Sequence, residues 1–244
     1  MPLFVFDLDG TLINSGQSIL ESFRFGLQHI GYGDLVIDEV KALRQDLRVT
    51  LLNAGEKIGQ EFTDFEIEDF VRSYRVHHSL FPDGLIQPYE GVVEVLEFLK
   101  SRDNQIAIAT TKHSEQASHM LGRLKMEHYF DHIQGTDVGM RYKPEPDILH
   151  AVLNRLERDP AESFYMGDSE HDLAAAATAG MWKIAANYGY STAEELNNQA
   201  PHFCIDQMKD FLTHYDDMLE MTSSKPTSKR APWHENCFID QAAS

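Results

Sequence analysis

The chain lacks the features that mark membrane-spanning and secreted proteins. No run of apolar residues approaches the roughly 18 that a membrane span requires, so no membrane partner is expected. The N-terminal region has no basic segment followed by a long apolar one, so we do not expect a signal peptide there. The two cysteines, Cys204 and Cys237, have neither metal-ligand spacing nor the pattern of a disulfide framework. These absences favour a cytoplasmic protein.

Positive charge is also scarce, with 21 Lys and Arg against 39 Asp and Glu and a net charge of −18. A surface that negative repels phosphate backbones and anionic membranes, so nucleic acid is not an expected partner. A phosphorylated substrate would need a locally positive pocket. The composition is 42% hydrophobic over 244 residues, which is enough for a substantial core in one large domain or two.

A short stretch near the start combines an apolar run with two acids. Residues 3–6 are apolar and run directly into Asp7, Leu8, Asp9 and Gly10, which predicts a buried strand of a parallel sheet. Asp7 and Asp9 are two apart and emerge towards one side of the strand end, where open α/β sheets bind ligands. Such a pair alone is more often explained by helix capping. Whether Asp7 and Asp9 have a catalytic role therefore depends on which residues lie at the ends of the other strands.

The order of predicted helices and strands along the chain indicates two kinds of organisation. Residues 15–84 carry helical patterns without a convincing strand, whereas strands alternate with helices from residue 85 to 220. The prediction is an α/β fold, a doubly wound (Rossmann-like) parallel sheet built from residues 1–14 and 85–220. Residues 15–84 form an inserted helical cap domain. Residues 221–244, rich in Ser, Lys, Thr and Pro, form a flexible tail.

Polar residues follow two further elements of the predicted core. Thr110 and Thr111 end the second core strand and could bind an anion with a hydroxyl and helix N–H groups, although helix capping explains them about equally well. Lys143 stands before Pro144, which we expect in the first turn of a helix over 144–157. A lysine there is unfavourable for the helix dipole unless a negative group lies beside it.

Two more acids follow the predicted strand at 163–168. Asp168 and Asp172 are four apart and are predicted to share a helical face. With Asp7 and Asp9 they bring four carboxylates to one end of the sheet. Their mutual repulsion requires a cation, and hard oxygen ligands suit Mg²⁺. Lys143 and Mg²⁺ would neutralise the acids and leave a positive place for phosphate.

These segments, in their order along the chain, resemble the four motifs of the haloacid dehalogenase superfamily. The helical insert resembles the C1 class of caps in that superfamily, and the chain looks most like its phosphoglycolate phosphatase-type hydrolases. The resemblance covers roughly residues 1–220. The motifs are Asp7-Leu8-Asp9-Gly10-Thr11-Leu12, Thr110, Lys143-Pro144 and Gly167-Asp168 through Asp172.

The resemblance implies a Mg²⁺-dependent phosphatase that acts on a small phosphorylated metabolite. In that family pattern Asp7 attacks phosphorus and forms an aspartyl-phosphate, while Asp9 serves as general acid and then as general base. Asp7, the main-chain carbonyl of Asp9 and Asp168 would hold Mg²⁺. Asp172 would orient water on the metal or the lysine.

The resemblance also implies how the phosphate and the leaving group are bound. Thr110, the Thr111 amide and Lys143 would hold the phosphoryl oxygens. The cap would act as a lid that reads the leaving group. Arg44 and Arg48, four apart on one predicted helix, are candidates for contacting substrate, although two solvated surface arginines are the commoner case.

Several alternatives stay open at the level of sequence. Haloacid dehalogenation lacks the second acid of the first motif, which Asp9 supplies here. Phosphonate hydrolysis requires a reactive lysine in the cap, and neither Lys41 nor Lys57 lies in such a context. A β-phosphoglucomutase-like isomerase would use the same core acids. A non-catalytic regulatory protein on this scaffold has no physical need for crowded acids. Neither the leaving group nor the oligomeric state follows from the sequence.

Overall fold

The computed structural model describes residues 1–44, 46–80 and 85–223. The chain divides into two compact units, one made of Met1–Ile13 and the chain from Pro88 onward, the other of Asn14–Gln87. The assignment of residues 15–84 to a cap domain stays a prediction. The predicted tail at 221–244 lies outside the described residues except for its first three, which end a helix.

Six parallel strands form the main sheet of the described residues, in the spatial order β5-β4-β1-β6-β7-β8. Strands β2 and β3 form a separate two-stranded sheet. This arrangement confirms the predicted doubly wound α/β fold. The strands are β1 (Leu3–Phe6), β2 (Ile13–Asn14), β3 (Gln87–Pro88), β4 (Gln105–Thr110), β5 (His132–Gly135), β6 (Ser163–Gly167), β7 (Trp182–Ala186) and β8 (Phe203–Ile205).

Helices connect the strands of the main sheet and also make up the second unit. None of the described helices is long and apolar enough to cross a membrane. The helices are α1 (Gly16–His29), α2 (Glu39–Arg44), α3 (Leu47–Glu56), α4 (Asp64–Ser79), α5 (Val92–Ser101), α6 (Ser114–Arg123), α7 (Asp147–Leu156), α8 (Glu170–Ala179), α9 (Ala193–Asn197) and α10 (Phe211–Ser223), with 3₁₀ turns at Glu127–Tyr129, Pro160–Glu162 and Met208–Asp210.

Strand β1 lies at the centre of the sheet and is buried on both faces. It pairs in parallel with β4 on one side and β6 on the other. Leu3 and Val5 pack into a cluster with residues of α7 and α8, while the Phe4 ring meets the Phe211 ring edge-on at 5.3 Å on the other face. Burying such a side chain contributes about 1.5–3 kcal/mol. The sequence Leu-Phe-Val-Phe is therefore apolar throughout, with no alternation.

The second unit has its own apolar core, formed by α1, α3 and α4 around the rings of Phe23 and Phe70. Asp46 caps α3 by accepting hydrogen bonds from the N–H groups of Arg48 and Val49. The chain therefore starts a new helix between Arg44, which ends α2, and Arg48, which lies in the first turn of α3. The prediction that these arginines share one helix was wrong. Asp46 caps the start of α3, so α2 and α3 are separate helices.

Candidate active site

Three neighbouring strands of the main sheet end at polar residues. Asp7 directly follows β1, Thr110 ends β4, and Asp168 directly follows β6. Because β4, β1 and β6 are adjacent and parallel, their carboxyl ends lie side by side. In open α/β sheets this edge is where ligands bind. The side chains of Asp7, Thr110 and Asp168 are all buried.

Lys143 reaches this edge from the loop that precedes α7. Its Nζ atom lies 2.9 Å from Oδ1 of Asp7 and 2.5 Å from Oδ1 of Asp172, and only 5% of its side chain is exposed. The Lys143–Pro144 peptide bond is cis, and the helix begins only at Asp147. The prediction that Pro144 opens the helix was wrong by three residues. The position of the Lys143 ammonium is therefore explained by the two carboxylates that it contacts and not by a helix end.

Asp172 is fixed in the first turn of α8. Ser169 and Asp172 form a capping box, in which Oδ2 of Asp172 accepts from the Ser169 N–H at 3.0 Å. The other oxygen, Oδ1, lies 3.0 Å from the hydroxyl of Tyr165. Asp168 precedes the helix, so the predicted shared helical face was wrong. The turn between β6 and α8, rather than helical periodicity, brings the two acids together.

Asp168 is held by two hydrogen bonds and enclosed by two glycines. Its Oδ1 atom accepts a hydrogen bond from the Thr11 hydroxyl at 3.3 Å, and its Oδ2 atom accepts from the Tyr190 N–H at 2.8 Å. A Cβ atom added at Gly10 would lie 2.2 Å from Oδ2 of Asp168, and one added at Gly189 would lie 2.2 Å from its Cβ. Both glycines are thus required for the carboxylate to lie where it does.

The crowding of acids changes their protonation. Burial raises the pKa of Asp7 to about 7, the nearby Lys143 opposes this, and the charges of Asp172 and Asp9 add to it. Burial also raises the pKa of Asp168, with further contributions from Asp172 and Asp7. Burial acts in the same sense on Asp172, but the Lys143 charge and the hydrogen bonds from Lys143, Ser169 and Tyr165 together outweigh it, and the pKa of Asp172 falls below its ordinary value. The site thus has an excess of negative charge that one lysine does not balance.

A divalent cation fits this excess. One carboxylate oxygen from each of Asp7, Asp168 and Asp172 lies within 4.8 Å of the other two, and all three residues are buried. Carboxylate oxygens are hard donors, which divalent cations such as Mg²⁺ and Ca²⁺ take as ligands. The donor set therefore fits a hard divalent cation.

Asp9 and the residues after β4 form a second polar group at the same edge. Oδ2 of Asp9 lies 2.8 Å from Nζ of Lys112. The Thr110 hydroxyl accepts from the Lys112 N–H at 3.4 Å, and Thr111 is exposed. The structure thus brings the carboxylates of Asp7, Asp168 and Asp172 within 4.8 Å of one another. Lys143 contacts Asp7 and Asp172, and Thr110 ends the adjacent strand. The catalytic and binding roles of these residues stay predictions.

Sequence reasoning missed three contacts of the site. Tyr165 looked like a core residue because it lies in the apolar run of β6, yet its hydroxyl is 3.2 Å from Nζ of Lys143. Lys112 looked like an ordinary lysine after a strand, although it pairs with Asp9. The loop containing Gly189 and Tyr190 gave no local signal, because its role is to donate one backbone N–H to a residue 22 positions earlier.

In the absence of divalent ions, the free energy of unfolding should fall as pH rises from about 4 to 7. The pKa of Asp7 is about 7 in the folded protein against 3.8 for an ordinary aspartate. In this interval the folded state keeps a proton that the unfolded state has lost, so raising the pH favours unfolding, by up to about 1.4 kcal/mol per pH unit for one full proton.

Urea unfolding in EDTA at pH 5.5 and 7.5 measures this dependence. Asp7→Asn serves as the matched comparison, because it removes one titrating group while keeping the side-chain shape. We expect the pH dependence of the variant to be weaker than that of the wild type. An equal or stronger dependence in the variant would contradict the assignment of the raised pKa to Asp7.

Comparisons with known proteins agree with this geometry. The model of the haloacid dehalogenase-like hydrolase family matches residues 4–186. A "Probable phosphatase IndB" of Dickeya dadantii is 30% identical over 228 residues, which cover 91% of this chain and 97% of the relative. The "Phosphoglycolate phosphatase 1" of Pseudomonas aeruginosa is 29% identical, over 93% of this chain and 86% of the relative. A solved haloacid dehalogenase-like hydrolase of Streptococcus pneumoniae shares the fold, with a TM-score of 0.77, 23% identity, and coverage of 88% of this chain and 98% of that one.

Proposed function

Because this chain belongs to the haloacid dehalogenase-like hydrolase family, we propose that it is a Mg²⁺-dependent phosphatase that releases inorganic phosphate from a small phosphomonoester. The observation that carries the proposal is the position of Asp7. Its carboxylate lies at the carboxyl end of the central strand, beside a buried ammonium at 2.9 Å and within 4.8 Å of two further acids. A carboxylate held in this way is suited to attack phosphorus.

Asp7 is the proposed nucleophile. Its oxygen forms a bond to phosphorus while the ester bond to the leaving oxygen breaks, which yields an aspartyl-phosphate. Water then attacks the phosphorus, the bond to Asp7 breaks, and inorganic phosphate is released. The two steps replace one difficult displacement by two easier ones, and the second step regenerates the Asp7 carboxylate for the next turnover.

Asp9 is the proposed general acid and base. In the first step it gives a proton to the leaving oxygen, and in the second it takes one from the attacking water, so that its protons balance over the cycle. Positioned acid–base help of this kind is typically worth ~10²–10⁴-fold in rate.

Lys143, Thr110 and the Thr111 amide are the proposed phosphate-binding groups. The Lys143 ammonium offsets negative charge as the phosphoryl group approaches Asp7, and the Thr110 hydroxyl and Thr111 N–H donate to phosphoryl oxygens. Asp172 holds the ammonium in place through its oxygen at 2.5 Å.

Asp7, the main-chain carbonyl of Asp9 and Asp168 are the proposed holders of Mg²⁺, with Asp172 beside them. When bound, Mg²⁺ supplies charge stabilisation for the phosphoryl oxygens and shields the attacking carboxylate from them. Contact of Arg44 and Arg48 with substrate stays a prediction. Arg48 pairs with Glu68 at 2.5 Å, and Nε of Arg44 donates to the Val40 carbonyl at 3.4 Å.

Phosphate release from a panel of esters tests the proposal. The panel contains p-nitrophenyl phosphate, 2-phosphoglycolate, glucose 1-phosphate, a nucleoside monophosphate and pyrophosphate. We expect continuous release from at least one compound with Mg²⁺, a loss of about 10²-fold or more in EDTA, equivalent to ~3 kcal/mol of barrier, and recovery when Mg²⁺ is added back.

Two outcomes would contradict the proposal. No release from any compound in the presence of Mg²⁺ would argue for a binding or regulatory protein on this scaffold. Conversion of glucose 1-phosphate to glucose 6-phosphate without net phosphate release, and only with a bisphosphate activator, would indicate a phosphosugar mutase. Inorganic phosphate and both sugar phosphates are therefore measured in the same reactions.

A further inference from the structure

Lys112 forms an ion pair with Asp9 in a poorly hydrated part of the candidate site. Its Nζ atom lies 2.8 Å from Oδ2 of Asp9, and the two side chains are only 12% and 14% exposed. Exposed ion pairs contribute little because water screens them. Here most of that screening is absent, so the pair can fix the orientation of the carboxylate.

The backbone of Lys112 is itself held firmly. Its carbonyl accepts a hydrogen bond from the Thr136 N–H at 2.8 Å, and its N–H donates to the Thr110 hydroxyl at 3.4 Å. A Cβ atom added at Gly135 would lie 2.3 Å from the Lys112 carbonyl oxygen, so this turn packs tightly against the end of β5. The ammonium therefore extends from a fixed point.

Asp9 lies apart from the other acids of the site. Asp7, Asp168 and Asp172 form a compact group of carboxylates, and Asp9 is not among them. Its backbone is fixed by a bridge to Ile13, but a bridge does not determine the direction of the side chain. The negative charges nearby repel its carboxylate, whereas the Lys112 ammonium attracts Oδ2 at 2.8 Å.

We propose that Lys112 is the positioning residue of Asp9, and that it keeps the carboxyl group where it can pass a proton to the leaving oxygen. The inference rests on the proposed phosphatase function. Lys112 gives up no proton: it holds Oδ2 of Asp9, and when Asp9 is protonated the other oxygen, Oδ1, carries the proton that passes to the leaving oxygen as the ester bond breaks and the bond to Asp7 forms. The contribution of Lys112 therefore depends on how much the leaving oxygen needs that proton.

Matched aryl esters separate this role from a structural one. Phenyl phosphate and p-nitrophenyl phosphate have similar shapes, but p-nitrophenolate is the far weaker base and departs with little help. The value of kcat/KM reports the steps up to cleavage of the ester, so it isolates the half-reaction in which Asp9 acts as an acid. The experiment compares wild type, Lys112→Met, Lys112→Arg and Asp9→Asn on both esters with Mg²⁺.

We expect Lys112→Met to lower kcat/KM for phenyl phosphate about 10²-fold, within the range of positioned acid catalysis, and at least about tenfold more than for p-nitrophenyl phosphate. Asp9→Asn should also lower kcat/KM more for phenyl phosphate than for p-nitrophenyl phosphate, and its loss of kcat/KM should be larger than that of Lys112→Met. Lys112→Arg, which keeps the charge, should recover most of the activity on phenyl phosphate. Urea unfolding midpoints of all variants check the fold.

Equal losses on the two esters, or a change confined to KM, would overturn the positioning role. If Lys112→Met fails to fold, the same comparison with Lys112→Gln decides the question. Failure of the proposed function is distinguishable, because the wild type would then release phosphate from neither ester. A wild type active on both, with a variant equally impaired on both, rejects the inference about Lys112 alone.

Discussion

Replacing Asp7 with asparagine should reduce phosphate release by about 10⁴-fold or more, since loss of a covalent nucleophile has cost about 10⁶ in another enzyme. Asparagine has almost the same shape as aspartate, and its amide oxygen can still accept from Lys143, whose Nζ lies 2.9 Å away. The amide nevertheless cannot form a stable phosphoryl ester. The fold should persist, because the substitution removes a negative charge from a site crowded with them.

The measurement pairs steady-state phosphate release with intact-protein mass after rapid acid quenching. The wild type should carry one additional phosphoryl group during turnover, and Asp7→Asn should carry none. Asp103→Asn is the matched control: Asp103 is exposed, lies at the amino end of β4, and has a φ of 56°, a conformation that asparagine tolerates. If the activity of Asp7→Asn were within tenfold of this control, Asp7 could not be the nucleophile.

Replacing Lys143 with methionine should impair both activity and stability. The Lys143 ammonium touches Asp7 and Asp172, and the side chain is 5% exposed. Burial alone would lower the pKa of Lys143, but the two carboxylates raise it, so the ammonium is charged at every pH of interest. Removing one partner of a buried ion pair typically costs about 3–5 kcal/mol.

The loss caused by Lys143→Met should be larger at pH 8 than at pH 5.5. Without the ammonium, the buried carboxylates favour their protonated forms, and protons are scarcer at the higher pH. Urea unfolding in EDTA at both values measures this. Lys100→Met is the control, because Lys100 forms a surface pair with Asp131 and its loss should cost less than about 1 kcal/mol. A Lys143→Met protein as stable as this control would contradict the buried pair.

The positions of Asp7 and Asp168 could be predicted because each follows a buried strand, and this pattern is local. Residues 3–6 are uniformly apolar, and only a central parallel strand requires that. The ends of β1 and β6 then coincide because the two strands are neighbours. The family resemblance supplied the order of the segments and the expectation for Lys143, which its local sequence alone did not determine.

Contacts made by ordinary-looking residues could not be predicted in the same way. Lys112 lies 103 positions from Asp9 along the chain, and its role depends on the pairing of β1 with β4. Tyr165 has the burial of a core residue, and only its hydroxyl distinguishes it. The break between α2 and α3 depended on whether Asp46 caps or continues a helix, a choice that local sequence leaves nearly balanced.

The central position of β1 has a consequence for how the protein is made. On the ribosome this strand emerges before any of its neighbours, while β4 begins at residue 105 and β6 ends at residue 167. At synthesis rates of roughly 5–20 residues per second, β6 follows about 10–30 seconds later. Strand β1 therefore has no neighbouring strand to pair with until β4 is made, and it lacks its second partner until β6 follows.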